Sequence, residues 1–163
     1  GSRRGRRWAT RQINHAYVVI LTAHFQGYCR DLHSECLDAL VRVAEHDTLR
    51  FVIGAGGIRG RLLDRGNPNP GNIGADFGRL GVAFWPEAIA YDARNAQRQA
   101  KLSRLVDWRH AISHEDYAAR ELVPRTVSLP VVKSWRGALN GLAQSFDQVM
   151  HDYLERAVGV APW

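Results

Sequence analysis

Trp135, Leu139, Leu142, Phe146, Val149 and Tyr153 recur in steps of four and three. That spacing lines large apolar side chains along one side of an α-helix with a bundle-type seam, a period that no β-strand shares. A second stretch behaves alike. From Ile13 to Glu45 there is no Pro and one Gly, and Ile13, Tyr17, Ile20, Leu21, Phe25, Tyr28, Leu32, Cys36, Ala39 and Val43 follow mostly helical steps. Residues 93–114 contain neither Gly nor Pro and are rich in Ala, Gln, Arg and Leu, all good helix formers. Nothing alternates with period two over a useful length. The spacing predicts an all-α fold, an antiparallel helical bundle of four to five helices.

The connections are shorter and more irregular. Residues 49–53 read as a short strand or a helical turn, broken by the following Gly54-Ala-Gly-Gly-Ile-Arg-Gly60. Gly54, Gly56 and Gly60 superficially suit a phosphate loop, but no βαβ continuation and no Gly-Lys-Ser/Thr follow, so a hinge or turn is the expectation. Asn67-Pro-Asn-Pro-Gly-Asn72 reads as a loop, residues 73–80 as a short helix, and Trp85-Pro86 as a boundary. At 163 residues and 45% hydrophobic content the chain supports one core, placed over residues 12–163.

Charge is unevenly spread. The net value is +6, yet Arg3, Arg4, Arg6, Arg7 and Arg11 all lie in the first eleven residues without an acid. The other 17 basic residues face 16 acidic ones, a balance of +1. Residues 1–11 therefore read as a basic, disordered tail with scope for non-specific RNA contact. The longest apolar run, Ala16–Leu21, falls far short of the roughly 18 residues of a membrane span, so no membrane partner is expected. No secretory signal is evident. Cys29 and Cys36 sit about 10 Å apart along one helix and cannot pair within it, which fits a reducing, cytoplasmic setting. Arg almost replaces Lys, which is present only at Lys101 and Lys133, a bias of GC-rich bacterial genomes.

One segment carries recognisable chemistry. Leu105-Val-Asp-Trp-Arg-His-Ala-Ile-Ser-His-Glu115 holds Arg109, a polar residue directly after it (His110), and His114 after four intervening residues. It resembles the signature of the HEPN superfamily of α-helical ribonucleases and nucleotide-binding domains, an Arg followed by Asn, Asp or His and then by a His four to six residues on. Placement at the end of a long helix, between a long opening helix and a closing one that runs to Gly-Val-Ala-Pro-Trp163, is similar to bacterial stand-alone members. The resemblance implies metal-independent cleavage of RNA by the ribose 2′-hydroxyl, leaving 2′,3′-cyclic phosphate and 5′-hydroxyl ends, with no cofactor. His suits proton transfer near neutral pH, so His114 is the expected acid or base. Arg offers permanent charge and forked donors to a phosphorane, so Arg109 is the expected transition-state stabiliser. His110 would orient His114, bind phosphate or supply the complementary acid or base.

At about 100° per residue, Arg109 and His114 lie roughly 140° apart on an ideal helix and His110 and His114 about 40°. Either the helix distorts or ends here, or a second subunit completes the site. The superfamily uses the latter arrangement, which implies a homodimer with a composite active site. Such enzymes serve as toxins of toxin–antitoxin pairs or in phage defence, which implies an antitoxin protein as a further partner.

Arg94, Arg98, Lys101 and Arg104 give residues 93–114 a net +4 with Arg109 and Asp107, and the first three share a face suited to an RNA backbone or simply to solvent. His110 and His114 also have the i,i+4 spacing of two metal ligands, with Glu115 or Asp116 as a third, but no metal is assigned. Cys29, His33 and Cys36 share one helical face, read as core. His24, His33 or Glu35 would be the first-helix residue beside the motif, although a solvated face explains each. Glu115, where related sequences often have a small residue, would repel phosphate or raise the pKa of His114. The competing reading is a catalytically inactive HEPN fold that binds RNA or nucleotides or serves dimerisation; a metallohydrolase is a third.

Overall fold

The computed structural model describes residues 2–122 and 125–159, excluding the side chains of residues 2–4 and 6. Among them are six α-helices and no strand: α1 (Ser2–Arg42), α2 (Asp47–Ile58), α3 (Pro70–Gly78), α4 (Phe84–Tyr91), α5 (Arg94–His114) and α6 (Leu129–Val158). A 3-10 turn, Leu62–Asp64, precedes α3. The fold is all-α, with more helices than the four to five expected. None is long and apolar enough to cross a membrane.

The three long helices form the frame. Along α1 and α6 the contacts rise together, from Asn14 Nδ2 donating to the Val127 carbonyl at 2.8 Å to Tyr28 Oη donating to Ala143 O at 2.8 Å and Asp147 Oδ1 at 2.7 Å. Those two helices are parallel. Along α5 and α6 the order reverses, with Ser145 beside Asn95, Gly141 beside Arg98 and Ser134 beside Lys101. The expected antiparallel packing thus holds for the consecutive pair, while the long crossover through α2–α5 returns α6 parallel to α1.

The seam from Trp135 to Leu154 is buried as its spacing requires, except that Tyr153 is only partly covered. Phe146 meets Phe25 of α1 (ring centroids 6.2 Å apart), Phe84 (4.6 Å) and Trp85 (5.4 Å) of α4, and Phe84 stacks on Phe77 of α3 at 4.2 Å. Burying such rings contributes about 1.5–3 kcal/mol each, which is what anchors the short helices to the frame. Cys29 and Cys36 are buried and unpaired, and burial pushes the Cys36 thiol up to about 12.

Three local expectations change. The segment read as strand-then-break is one helix, α2, continuous through Gly54, Gly56 and Gly57. Tertiary contact explains it: a Cβ at Gly57 would lie 2.5 Å from Leu37 Cδ1, so the missing side chain is what lets α2 approach α1. The Asn67–Asn72 loop is only half a loop, because Pro70 starts α3 and Asn69 Oδ1 caps it by accepting from Asn72 N at 2.8 Å. Finally, α1 starts at Ser2, so the basic tail is a helical extension, as its Arg, Ala and Trp composition without Pro permits. The side chains of Arg3, Arg4 and Arg6, Pro124 and the closing Val160–Trp163 lie outside the described residues.

One buried carboxyl organises the crossover. Asp76 on α3 has no exposure, and its two oxygens accept from Leu62 N and Leu63 N, each at 2.8 Å. It thereby holds the 3-10 turn whose N–H groups would otherwise be buried without partners. Gln26 of α1 grips the same turn from below, Nε2 donating to Leu63 O at 2.6 Å and Gly66 O at 2.8 Å. Replacing Asp76 by Ala should lower stability by about 2–4 kcal/mol in urea unfolding, because two buried donors lose their acceptor. Asp47→Ala, at an exposed surface pair, should change it by under about 0.5 kcal/mol.

Candidate active site

Arg109, His110 and His114 line one concavity of about 280 Å³, together with Gln26 and with Asp64, Arg65, Gly66 and Asn67 of the crossover. Every lining residue except Gly66 is polar. The sequence left open whether a single helix could gather the motif; all three residues lie within α5, and all three border the one concavity. α5 ends at His114, Glu115 adopts the left-handed conformation (φ 55°, ψ 25°), and the Arg109 side chain reaches the same concavity as the two histidines.

Within it, the His110 and His114 rings lie 4.4 Å apart, tilted by 39°. Desolvation, followed by the positive charges of Arg120 and the neighbouring His114, moves the pKa of His110 below its ordinary value. His110 is therefore held neutral at physiological pH, with one ring nitrogen available to accept a proton. Arg109 makes no hydrogen bond or ion pair among the described residues, so its guanidinium is uncommitted. Asp107, the one acid of α5, accepts from Arg120 at 2.7 Å. Asp64 is likewise occupied: a hydrogen bond from Arg61 at 2.8 Å holds its carboxyl below the usual range. Asp64, which lines the concavity, and Asp107 are thus matched by arginines that do not line it, Asp116 acts on His110 from nearby, and Arg65 and Arg109 are the lining cations that hold no carboxylate.

Glu115, directly after the motif, does not enter this concavity. It borders the neighbouring one with Arg11, Gln12, His15, Ile112, Tyr117 and Arg125. The expected first-helix contribution is also resolved differently. His24 faces a groove against α6, Glu35 is exposed, and His33 is buried with Nε2 3.2 Å from the Asp76 carbonyl and its ring edge-on to Phe77. Gln26 is the α1 residue at the site. One amide among the many polar residues of α1 carries no signal until the fold brings the crossover beside it.

The four cations read as an RNA-tracking stripe are dispersed. Arg94 and Arg98 both pair with Asp92 at 2.8 Å and draw its carboxyl well below the usual range, Arg94 foremost. Arg98 is only 17% exposed and also donates to Asn95 Oδ1 at 2.7 Å. Lys101 Nζ donates to Ser134 Oγ at 3.0 Å. Arg104 opens onto a different cavity, between α1, α5 and the start of α6. None of the four lines the motif concavity, and Asp92 lies one residue outside the window whose charge was counted. As for metal ligands, no carboxylate, thiol or third imidazole completes a set with His110 and His114 among the described residues; the one grouping with that proximity is His151, Asp152 and Glu155 on α6.

Comparisons with protein-family models, with curated proteins and with solved structures returned no match. The site stands on its own geometry.

Two predictions follow from the histidines and the crossover. Burial also lowers the pKa of His15 and of His33. The unfolded chain takes up protons on these imidazoles near pH 6.5 while the folded chain resists, so their contribution to stability is full above that pH and is lost as pH falls through it. Thermal unfolding should show Tm falling between about pH 7 and pH 5, and His110→Gln should reduce that slope. Gln26→Ala should release the Leu63 and Gly66 carbonyls and raise amide exchange across residues 63–67, at a stability loss of about 1–2 kcal/mol.

Proposed function

We propose that this protein is a metal-independent endoribonuclease of the HEPN type, cleaving RNA by attack of the ribose 2′-hydroxyl on the adjacent phosphodiester. The observation that carries the reading is the convergence of Arg109, His110 and His114 on one polar concavity whose one lining acid, Asp64, is already matched by Arg61. The residues suit each requirement of the reaction. A base must take the 2′-hydroxyl proton as O2′ bonds to phosphorus, and an acid must give a proton to O5′ as the P–O5′ bond breaks. Two imidazoles 4.4 Å apart suit a base and an acid acting on one phosphodiester. His110, disfavoured in its charged form, fits the base, and His114, exposed at the end of α5, fits the acid. Arg109 supplies the charge that stabilises the phosphorane oxygens, where a forked guanidinium is worth most. Arg65, on the facing crossover, would hold a flanking phosphate.

In this reading the protein acts as a homodimer in which two such concavities face a shared RNA, in the cytoplasm of a bacterium, with an antitoxin protein as its regulator. The partner subunit would complete the composite site by bringing its own Arg109, His110 and His114 to the same RNA. The products carry 2′,3′-cyclic phosphate and 5′-hydroxyl ends.

The test is incubation of purified protein with labelled single-stranded RNA in EDTA. Cleavage should persist in EDTA and fall at least about 100-fold in His114→Ala and in Arg109→Ala, with His110→Ala losing about 10- to 100-fold. RNA binding without cleavage in all proteins would favour the inactive binding module, and activity that requires added metal would overturn the proposal.

A further inference from the structure

The cavity bordered by the most arginines lies elsewhere among the described residues, on the side of the frame where α1, α5 and the start of α6 meet. It encloses about 580 Å³ and is bordered by Arg7, Arg11 and Arg104, by Trp108, Val127, Val131 and Trp135, and by the polar side chains of Asn14 and Ser128. A volume of that size is in the range of small-molecule sites.

Its lining joins cationic and apolar side chains. Three guanidinium groups border it with no carboxylate anywhere in the lining, and none of the three makes a hydrogen bond or ion pair among the described residues. Arg50, Arg61, Arg94, Arg98, Arg120 and Arg156, by contrast, each hold a carboxylate. Three uncommitted like charges around one hollow repel one another and create a local positive potential that an anion relieves. The same lining is partly apolar. Trp108 and Trp135 are 7% and 5% exposed, and the edges they keep open, with Val127 and Val131, give a planar apolar group a surface to pack on. Asn14, also in the lining, is fixed by its Nδ2 bond to the Val127 carbonyl at 2.8 Å and makes no other hydrogen bond among the described residues, so Oδ1 is an oriented acceptor. Ser128, the N-cap of α6, makes no side-chain capping bond, so its hydroxyl is likewise uncommitted.

We infer that this cavity binds a nucleoside monophosphate unit, with the phosphate held by Arg7, Arg11 and Arg104 and the base packed on Trp108 and Trp135. An acceptor (Asn14 Oδ1) and a hydroxyl (Ser128) in the same lining suit ribose or base-edge donors. The site is distinct from the motif concavity, with which it shares no lining residue, and it stands whether or not that concavity cleaves RNA. The unit is either a free nucleotide or one link of an RNA strand.

Titration of the full chain with AMP, UMP, ribose 5-phosphate, inorganic phosphate and a short single-stranded oligoribonucleotide, followed by intrinsic tryptophan fluorescence, tests it. A mononucleotide or the oligonucleotide should perturb the emission and bind at least about 10-fold more tightly than ribose 5-phosphate or phosphate. Tighter binding of the mononucleotide assigns the site to a free ligand, and tighter binding of the oligonucleotide assigns it to a strand. Arg104→Gln and Arg11→Gln should each weaken binding at least about 5-fold, whereas Arg156→Gln, the same charge change far from the cavity, should leave it intact. Circular dichroism confirms that each variant is folded, and Arg104, being exposed, is the one least able to disturb the core. No binding of any nucleotide at about 10 mM overturns the inference, as do equal affinities for phosphate and nucleotide, equal losses in all three Arg variants, or a loss confined to Arg109→Gln or His114→Ala, which would place the ligand in the motif concavity.

Discussion

The pair of hydrogen bonds that Asp76 accepts from Leu62 and Leu63 is the constraint on which the site depends. Without it the chain between α2 and α3 has no reason to turn where it does, since neither the sequence 61–67 nor its hydrophobicity defines an element. With it, the turn is pinned to α3, Gln26 ties the same turn to α1, and residues 64–67 are laid along the end of α5. A carboxyl buried without exposure is expensive unless both oxygens are satisfied, and here both are. The backbone of Asp76 adds a third tie by accepting from His33 of α1. Two polar side chains on α1 and one on α3 therefore build the wall opposite the motif, while the aromatic cluster of Phe25, Phe77, Phe84 and Phe146 keeps α1, α3, α4 and α6 in register.

Much of this fold was legible in the sequence because long amphipathic helices announce themselves by period. α5 was bounded within a residue, and the seam of α6 was read residue by residue. What the period could not show was direction and contact. The parallel placement of α1 and α6 follows from the length and path of the crossover, and the helicity of α2 follows from a glycine that fits under Leu37. A glycine-rich string looks like a break when read alone, and only the neighbour that it accommodates turns it into a packing surface.

The site was legible in its motif and illegible in its surroundings. Arg109, His110 and His114, which helical spacing alone sets up to about 140° apart, border one concavity of a single chain although all three lie within α5. Gln26, Asp64 and Arg65 carried no sequence signal, since each is one polar residue among many and becomes significant only through the crossover. The charge count was misleading in a specific way. A helix with a net +4 is a poor guide to an electropositive face when Asp92, just before it, neutralises Arg94 and Arg98, and when Arg104 points into another cavity. Net charge over a stretch ignores which cations are already satisfied; the informative quantity is the number of guanidinium groups around one hollow that hold no carboxylate.

The central claim is that the ribose 2′-hydroxyl is the nucleophile, activated within the concavity of Arg109, His110 and His114. The most direct measurement maps cleavage of one RNA, then repeats it with a single 2′-deoxy substitution at the nucleotide 5′ to the strongest cut. The account predicts that cutting stops at that bond alone and continues at the others, because only the substituted position lacks its nucleophile. Unchanged cutting at the substituted bond would contradict it and assign the attack to another nucleophile.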